Sequence, residues 1–490
     1  MPQNLLEIQN AKVLFKGNHA FHDLNFEWRK GEQWAIVSDS GWLQTAFLET
    51  IRGNTILSQG LVIRDFAKVY SEEKSTKKEV HSFRDLMAYV SQKYEFRNKF
   101  NQQNFYFQQR FNSNESEETA TVFQFLNEIE SKIPGSWTLE NVMKLLNLES
   151  LKDESLLKLS NGETRRLAIA AGLMRQPKIF LMDHPLTGLD VKTRSSFGEI
   201  LKEIIQAGTH VLLTANAEDI PDGITNVAKL TDEGIIQRWS SRDFHLTSHA
   251  SQAKSWDWAL LGKLLSNESM PSETLIKLDA VNISYQGNLI LDSVSWEVNS
   301  GEYWQLKGPN GSGKSTLISL LIGENPQAYS QNIYLFGRKR GTGESIWDVK
   351  KPTGFVAPEL SRFFPANQTC RKVILSGLYD TMGLFKKTTA EQESLADSWL
   401  KLFELEKVQQ IPIQRLSLEH QRWTLLARAL IKKPKLLILD EASQGMDKLQ
   451  RELFKNTIQK VCEISSLSLI YVSHYDEDVP EIIDRVFALS

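Results

Sequence analysis

The chain of 490 residues lacks the cysteines and apolar runs that would assign it to several common classes of protein. Its two cysteines, Cys370 and Cys462, are far apart and have no metal-ligand spacing. A zinc or iron–sulfur framework is therefore excluded, and a reducing compartment fits. No apolar run approaches the roughly 20 residues that cross a bilayer. The N-terminus also lacks a basic segment followed by an apolar core, so no signal peptide is expected.

A strong net charge is also missing. The formal net charge is −3 with both signs spread along the chain, so a nucleic-acid or anionic membrane partner is not indicated. Hydrophobic and charged contents of 41% and 24% are those of an ordinary globular protein. We expect a cytoplasmic protein, peripheral at the inner face of the membrane if it serves a membrane process. Any membrane-spanning partner would then be a separate permease chain.

An internal repeat organises the sequence. The segment VLFKGNHAFHDLNFEWRKGEQWAIV of the first half matches ISYQGNLILDSVSWEVNSGEYWQLK of the second without a gap, and LSNGETRRLAIAAGLMRQPKIFLMDHP matches LSLEHQRWTLLARALIKKPKLLILDEA. We predict a first domain at 1–240, a linker at 241–274 and a second domain at 275–490. The linker is Ser-rich apart from a short amphipathic piece at 256–265.

Short apolar runs that follow helical segments indicate buried parallel strands. KIFLMD and KLLILD are such runs, and THVLLTAN and LSLIYVSH repeat the pattern further along each half. The alternation of strands and helices predicts an α/β fold with a parallel core in both domains.

The second half contains a complete phosphate-binding loop. GPNGSGKST fits G-x-x-x-x-G-K-[ST] between a predicted strand and a predicted helix, where backbone N–H groups and the helix N-terminus cradle phosphates. Lys314 would place its charge on the transferring phosphate, and Ser315 would offer a hydroxyl to Mg²⁺. Tyr285 lies 23 residues before this loop, and its aromatic ring could stack on adenine. The predicted ATP-binding residues are Tyr285, Gly308, Pro309, Asn310, Gly311, Ser312, Gly313, Lys314, Ser315 and Thr316.

Catalytic groups are predicted at the ends of the following apolar strands. Asp440 would hold Mg²⁺, and Glu441 would polarise the attacking water. His474 follows the next strand and would reach the γ-phosphate from the same sheet edge. The predicted catalytic residues are Glu441, His474 and Lys314, and the predicted metal ligands are Ser315 and Asp440.

Together these motifs resemble the ATP-binding cassette (ABC) ATPases, and the resemblance covers both halves. It implies two tandem P-loop nucleotide-binding domains, each with a RecA-like core, an antiparallel β subdomain and a helical subdomain. It also implies ATP hydrolysis with Mg²⁺. In the family, a glutamine that follows the segment corresponding to GFVA links Mg²⁺ to the helical part. Here Pro358 is in register with that glutamine, and the next residue, Glu359, is a tentative substitute.

The family signature LSGGQ heads a helix and caps the γ-phosphate bound to the opposite cassette. The first half has LSNGE, in which Ser160 and Gly162 are kept and Glu163 replaces the glutamine. The second half has LSLEH, in which Glu419 replaces the close-approach glycine. The resemblance thus assigns a signature in trans to Ser160, Asn161, Gly162, Glu163 and Asp190.

The first half has lost the groups that hold and cut a phosphate. The lysine, two glycines and the glutamate of the second half correspond to Gln44, Ser38, Leu43 and His184. Asp39 adds a negative charge, Ala215-Asn216-Ala217 replaces the histidine, and Phe15 takes the adenine-stacking place, while Gln92 and Asp183 are kept. Two outcomes remain open: an ATP bound but not hydrolysed, or a pocket filled by Trp42 and Leu43. The losses favour an empty or weakly binding site.

If the two halves face each other head to tail, the damaged motifs all fall in one composite site and the intact motifs all fall in the other. One composite site would combine the second half's loop, Asp440, Glu441 and His474 with the first half's LSNGE, all intact. The other would combine SDSGWLQT and His184 with LSLEH, all damaged. We therefore predict one working and one silent site within a monomer.

The sequence resembles, within the family, the ModF-type or PhrA-like tandem cassettes, whose name comes from molybdate transport. The resemblance implies an ATPase subunit or regulator of a transport system. Alternatives are a mechanochemical factor acting on nucleic acid or ribosomes, and a switch that binds proteins and hydrolyses slowly. The aromatic stretch at 94–111 fits stacking on nucleic acid, reception of a permease helix, or packing of the helical subdomain.

Overall fold

The structure is a computed structural model that describes residues 4–38, 40–91, 120–156, 159, 161–186, 191–244, 256–266, 272–285, 288–309, 311–446, 448–473 and 476–489. The described residues up to 244 form one unit and those from 256 onward form another.

The first unit contains a mixed sheet and an antiparallel sheet. Its strands are β1 (Asn4–Phe15), β2 (Asn18–Arg29), β3 (Trp34–Val37), β4 (Ile56–Ile63), β5 (Met87–Val90), β6 (Ile179–Met182), β7 (His210–Thr214), β8 (Asn226–Thr231) and β9 (Gly234–Ser240). Its helices are α1 (Gly41–Ile51), α2 (Lys68–Thr76), α3 (Val122–Asn127), α4 (Leu139–Leu145), α5 (Asn161–Met174) and α6 (Val191–Gln206). The sheet orders are β5-β6-β7-β3-β8-β9, parallel except for β8–β9, and β2-β1-β4, antiparallel.

The second unit repeats this plan. Its strands are β10 (Thr274–Tyr285), β11 (Asn288–Asn299), β12 (Tyr303–Lys307), β13 (Asn332–Leu335), β14 (Arg338–Lys339), β15 (Thr353–Val356), β16 (Leu436–Asp440), β17 (Ser468–Val472) and β18 (Arg485–Ala488). Its helices are α7 (Trp258–Leu265), α8 (Lys314–Leu321), α9 (Ile346–Lys350), α10 (Leu360–Phe363), α11 (Cys370–Ser376), α12 (Ala390–Leu402), α13 (Leu418–Leu430) and α14 (Lys448–Ile464). The sheet orders are β15-β16-β17-β12-β18, parallel, and β11-β10-β13-β14, antiparallel.

The apolar runs that predict parallel strands are the centres of these sheets. Every residue of β6, β16 and β17 is buried, because helices cover both faces of a parallel sheet. In the second unit β16, β17 and β12 are neighbours and run parallel. The loops that leave their carboxyl ends therefore meet at one edge of the sheet, where ligands bind in such folds.

The segment at 256–265, within the region that sequence analysis assigns to a linker, packs into the second unit. Trp256 is 4% exposed, and its indole N–H donates to Thr457 Oγ1 at 3.0 Å. Its ring meets Phe403 and Trp423 edge-on at centroid distances of 5.5 and 5.0 Å. The helix α7 that follows contributes the buried Leu261 to the same core. This segment therefore stabilises the helical part of the second unit.

In the parts of the chain that the structure describes, no helix has both the length and the apolar content that spanning a bilayer requires.

Replacing Trp256 should destabilise the second unit. Trp256→Ala removes a buried ring and leaves a cavity, which costs about 3–5 kcal/mol. Trp347→Ala is the matched control, because that indole is 41% exposed in the same unit. In thermal unfolding of the full chain, Trp256→Ala should markedly lower the midpoint of one transition. Trp347→Ala should not. Equal shifts in the two variants would contradict the packing described here.

Candidate active site

The phosphate-binding loop of the second unit lies between β12 and α8. Helix α8 begins at Lys314 after Gly313, which has φ +92° and gives the helix no side-chain cap. A Cβ on Gly313 would lie 2.7 Å from Leu291 Cδ2, so only glycine fits. The uncapped N-terminus leaves backbone N–H groups available to an anion.

Lys314 closes the loop onto itself. Its Nζ donates to the carbonyl oxygens of Gly308 at 2.6 Å and Pro309 at 2.9 Å. Burial lowers the pKa of this ammonium group, and the nearby charges of Glu441 and Asp440 oppose that shift. The lysine thus sits in the loop with carbonyl acceptors that phosphate oxygens can replace.

The acidic pair ends strand β16. Asp440 is the last strand residue and is 8% exposed, while Glu441 leaves the strand with φ +48°. The Glu441 N–H donates to Val472 O at 3.0 Å, which fixes its backbone against β17. Gln444 Nε2 donates to Glu441 Oε2 at 2.7 Å. A carboxylate held in this way can orient and polarise a water molecule.

The residues at this edge fit a Mg²⁺–ATP ligand. Asp440 supplies a carboxylate and Ser315 a hydroxyl, the oxygen donors that Mg²⁺ prefers. The Ser312 hydroxyl is buried and has no hydrogen-bond partner within the described residues, as expected for a loop that awaits an acceptor. Thr316 is buried in α8. When bound, Mg²⁺ would neutralise charge on the phosphates.

Glu359, the tentative third metal ligand, is buried, and its charge acts on the guanidinium of Arg422. Burial lowers the pKa of Arg422 to about 10, and Glu359 opposes this shift. Arg422 Nη1 also donates to Pro358 O at 3.2 Å. The structure therefore places Glu359 beside a buried arginine.

Tyr285 ends strand β10 with a half-buried ring. Asn325 Nδ2 donates to its hydroxyl at 2.9 Å, and Asn325 also bonds Ser319 of α8. Burial raises the pKa of Tyr285 to about 12, so the hydroxyl stays protonated at neutral pH. Sequence analysis missed Asn325, which orients the predicted adenine-stacking ring.

Several predicted site residues lie outside the described residues. They are Ser160, Asp190, Asn310 and His474, together with Asp39 and Gln92 of the first half and the aromatic stretch at 94–111.

The two signature segments differ in what the structure shows of them. In the first unit, α5 begins at Asn161, Gly162 is buried and Glu163 is half-buried. In the second unit the Ser417 hydroxyl caps α13 by accepting from the His420 N–H at 3.2 Å. Glu419 Oε2 accepts from Gln450 Nε2 at 2.9 Å. The second signature therefore uses its hydroxyl and its glutamate in contacts within its own unit.

In the first unit, Gln44 stands at the position of the missing lysine and belongs to a buried hydrogen-bond network. Gln44 Nε2 donates to Ile36 O at 2.8 Å and to Ala215 O at 3.0 Å. Its Oε1 is then the acceptor for His184 Nε2 at 2.7 Å. Burial lowers the pKa of His184 and favours the neutral ring. The replacements of the lysine and the glutamate thus bond to each other.

Asp183 of the first unit is also satisfied internally. Its two carboxylate oxygens accept from Thr45 Oγ1 and Thr214 Oγ1, both at 2.8 Å. Thr45 has the register of the predicted metal-binding Ser315. The hydroxyl of Thr45 and the carboxylate of Asp183 therefore bond each other directly.

Phe15 is 6% exposed and lies 5.8 Å from Trp42, centroid to centroid. Trp42 and Leu43 pack against the apolar core of this unit. Trp42 of the altered loop therefore packs beside Phe15, which is in register with Tyr285.

Two P-loop cassettes, each with a parallel sheet, an antiparallel sheet and a signature helix, define the ATP-binding cassette class of ATPases. A family model described as "ABC transporter" matches residues 21–187 and 291–444. The chain belongs to this family, whose members hydrolyse ATP, so it is an ABC-type ATPase.

The chain is ModF-like. It is 31% identical over 459 residues to the ABC transporter ATP-binding protein ModF of Escherichia coli, covering 92% of this chain and 89% of that relative. It is 29% identical over 482 residues to an uncharacterized ABC transporter ATP-binding protein of Schizosaccharomyces pombe, covering 95% and 93%.

Two solved structures share the fold. One is a model of ribosome-bound archaeal Pelota and ABCE1, with a TM-score of 0.58, 18% identity, and 98% of this chain and 76% of that chain covered. The other is an RNase-L Inhibitor, with a TM-score of 0.51, 17% identity, and 98% and 87% covered. Both confirm the predicted fold class of two tandem ABC domains.

The buried His184 should make the first unit less stable in mild acid. Its folded pKa is lowered, so below about pH 6.5 the unfolded chain binds a proton that the folded chain does not. The unfolding free energy should then fall with decreasing pH by up to ~1.4 kcal/mol per unit. Asp183 and Asp219 favour protonation and Arg165 opposes it, but burial outweighs the two carboxylates.

Urea unfolding of the full chain between pH 8 and pH 5.5 measures this slope, with His184→Gln as the comparison. His210, whose pKa is also lowered by burial, contributes equally to both chains. The slope should be shallower in His184→Gln; identical slopes would refute the assignment.

Proposed function

We propose that this ATPase hydrolyses ATP at one composite site, formed by the phosphate loop and acidic pair of the second half with the LSNGE signature of the first half. Asp440 and Ser315 would hold Mg²⁺, Lys314 would bind the phosphates, and Glu441 would orient the attacking water. His474, Ser160 and Asp190 join this site by the family motif that they match.

The bond between Gln44 and His184 is the observation that carries the proposal. Hydrolysis needs a lysine on the phosphates and a carboxylate near the water. In the first unit both positions hold neutral side chains that satisfy each other at 2.7 Å inside the protein. In the second unit the lysine donates to loop carbonyls, and the glutamate stands at the end of its strand.

The signatures support the same division. LSNGE keeps the serine and the close-approach glycine, and Gly162 adds no side chain at the start of α5. LSLEH has its serine engaged as a helix cap and adds the carboxylate of Glu419. A negative charge there would repel a γ-phosphate.

For the wider role we propose a subunit or regulator of a transport system such as molybdate uptake, with ATP as the ligand and a separate permease as the partner. The support is the likeness to ModF over most of both chains. A mechanochemical role on ribosomes or nucleic acid is the second candidate, because a solved structure of the same fold is ribosome-bound. Co-purification of a membrane protein favours the first role, and of RNA the second.

One substitution in each half tests the composite site. Glu441→Gln should lower the rate of hydrolysis by at least ~10²-fold, because it removes the carboxylate at the reacting centre. Gln44→Ala should leave the rate of hydrolysis close to normal while it destabilises the first unit by about 1–3 kcal/mol, since buried carbonyls lose their donor. Full hydrolysis in Glu441→Gln, or none in a folded Gln44→Ala, would refute the proposal.

The signatures give a second matched pair. Ser160→Arg should cripple turnover, whereas Ser417→Arg should cost only the cap of α13, about 1 kcal/mol of stability. Equal turnover in these two variants would exclude a working site that uses the first signature.

A further inference from the structure

Gln444 holds the carboxylate of Glu441 directly. Its side-chain Nε2 donates to Glu441 Oε2 at 2.7 Å, and its backbone N–H donates to Glu441 O at 2.9 Å. The two residues therefore close a tight turn immediately after strand β16. An amide N–H that donates to one carboxylate oxygen restricts the rotation of that carboxylate, and a hydrogen bond to an ionised group is a strong one.

Gln444 is itself anchored by a buried arginine of the helix α13. Its carbonyl oxygen accepts from Arg422 Nη2 at 3.1 Å and from Arg422 Nε at 3.3 Å. Arg422 is 4% exposed, and its Nη1 donates to Pro358 O at 3.2 Å. The position of Gln444 is thus set by a side chain that bridges two loops of the unit.

The other side of the same turn is fixed as well. The Ser443 hydroxyl donates to Asp478 Oδ2 at 3.3 Å, and Arg451 Nε lies 3.3 Å from Asp478 Oδ1. Asp478 and Ser443 are both buried. The turn from Glu441 to Gln444 is therefore held in place by hydrogen bonds at two adjacent residues, Ser443 and Gln444.

We infer that Gln444 is a positioning residue for ATP hydrolysis: it holds Glu441 in the orientation in which its carboxylate meets the attacking water. This inference rests on the proposed role of Glu441. Preorganised geometry matters in such a site, because a displacement of about 1 Å can cost ~10²-fold in rate. Gln444 would act through the carboxylate of Glu441, which it contacts.

The first half has no glutamine–glutamate pair at the positions that match Gln444 and Glu441. The residue in register with Gln444 is Thr187, which is shorter and lies outside the described residues. The residue in register with Glu441 is His184, which is held by Gln44 instead. A glutamine that orients a carboxylate is thus present only in the half of the sequence that keeps the carboxylate.

Gln444→Met tests the inference, because methionine has similar length and no donor. We expect kcat to fall about 10- to 100-fold with KM for ATP nearly unchanged. Gln459→Met is the matched control, because Gln459 Nε2 donates to Glu463 Oε1 at 3.0 Å on helix α14, away from the phosphate loop. The control should keep the native kcat.

A double-mutant cycle separates positioning from a general structural effect. In the Glu441→Gln background, Gln444→Met should cause no further loss of residual single-turnover hydrolysis, because the group that it positions is already gone. A further loss as large as that in the native chain, or a fall in kcat shared by Gln459→Met, would overturn the inference. A native kcat in Gln444→Met would also overturn the inference.

The two proposals fail in distinguishable ways. If Glu441→Gln hydrolyses ATP normally, the proposed function is wrong. If Glu441→Gln is inactive and Gln444→Met retains its kcat, only the role of Gln444 is wrong. Gln444→Asn, which keeps the amide but is too short to reach Glu441, replaces the methionine variant if that variant does not fold, and is expected to show the same loss of kcat.

Discussion

The carboxyl edge of each parallel sheet brings together the side chains that follow neighbouring buried strands. In the second unit this edge gathers Lys314, Asp440 and Glu441, because β12, β16 and β17 are adjacent and parallel. Charged groups placed beside apolar strands need partners. Lys314 finds them in loop carbonyls, and Glu441 finds one in Gln444.

The same constraint explains the first unit. Without the lysine and the glutamate, the edge must still satisfy the carbonyls of Ile36 and Ala215, and Gln44 does so with one amide group. Its remaining oxygen accepts from His184, and Asp183 accepts from two threonines. Internal hydrogen bonds thus satisfy the polar groups at this edge of the sheet. The altered loop has become a structural element that keeps the strand–turn–helix frame.

The repeat, the fold class, the intact phosphate loop and the apolar strands that lead to Asp183 and Asp440 could be predicted from the sequence, because they depend on local motifs and apolar periodicity. The bond between Gln44 and His184 could not, because it joins residues 140 positions apart and depends on side-chain geometry. The amphipathic spacing near Trp256 was visible, but the core that it enters was not. Gln444 carried a weak signal: a long amide three residues after the predicted base.

The number of ATP molecules bound per chain shows directly whether only one of the two cassettes retains a usable nucleotide site. Equilibrium binding of ATP with Mg²⁺ to the Glu441→Gln chain, in which hydrolysis should not consume the ligand, measures that number directly. We expect one molecule per chain, and we expect this binding to be lost when Lys314→Ala is added. Two molecules bound with similar affinity, or one molecule retained after Lys314→Ala, would contradict it.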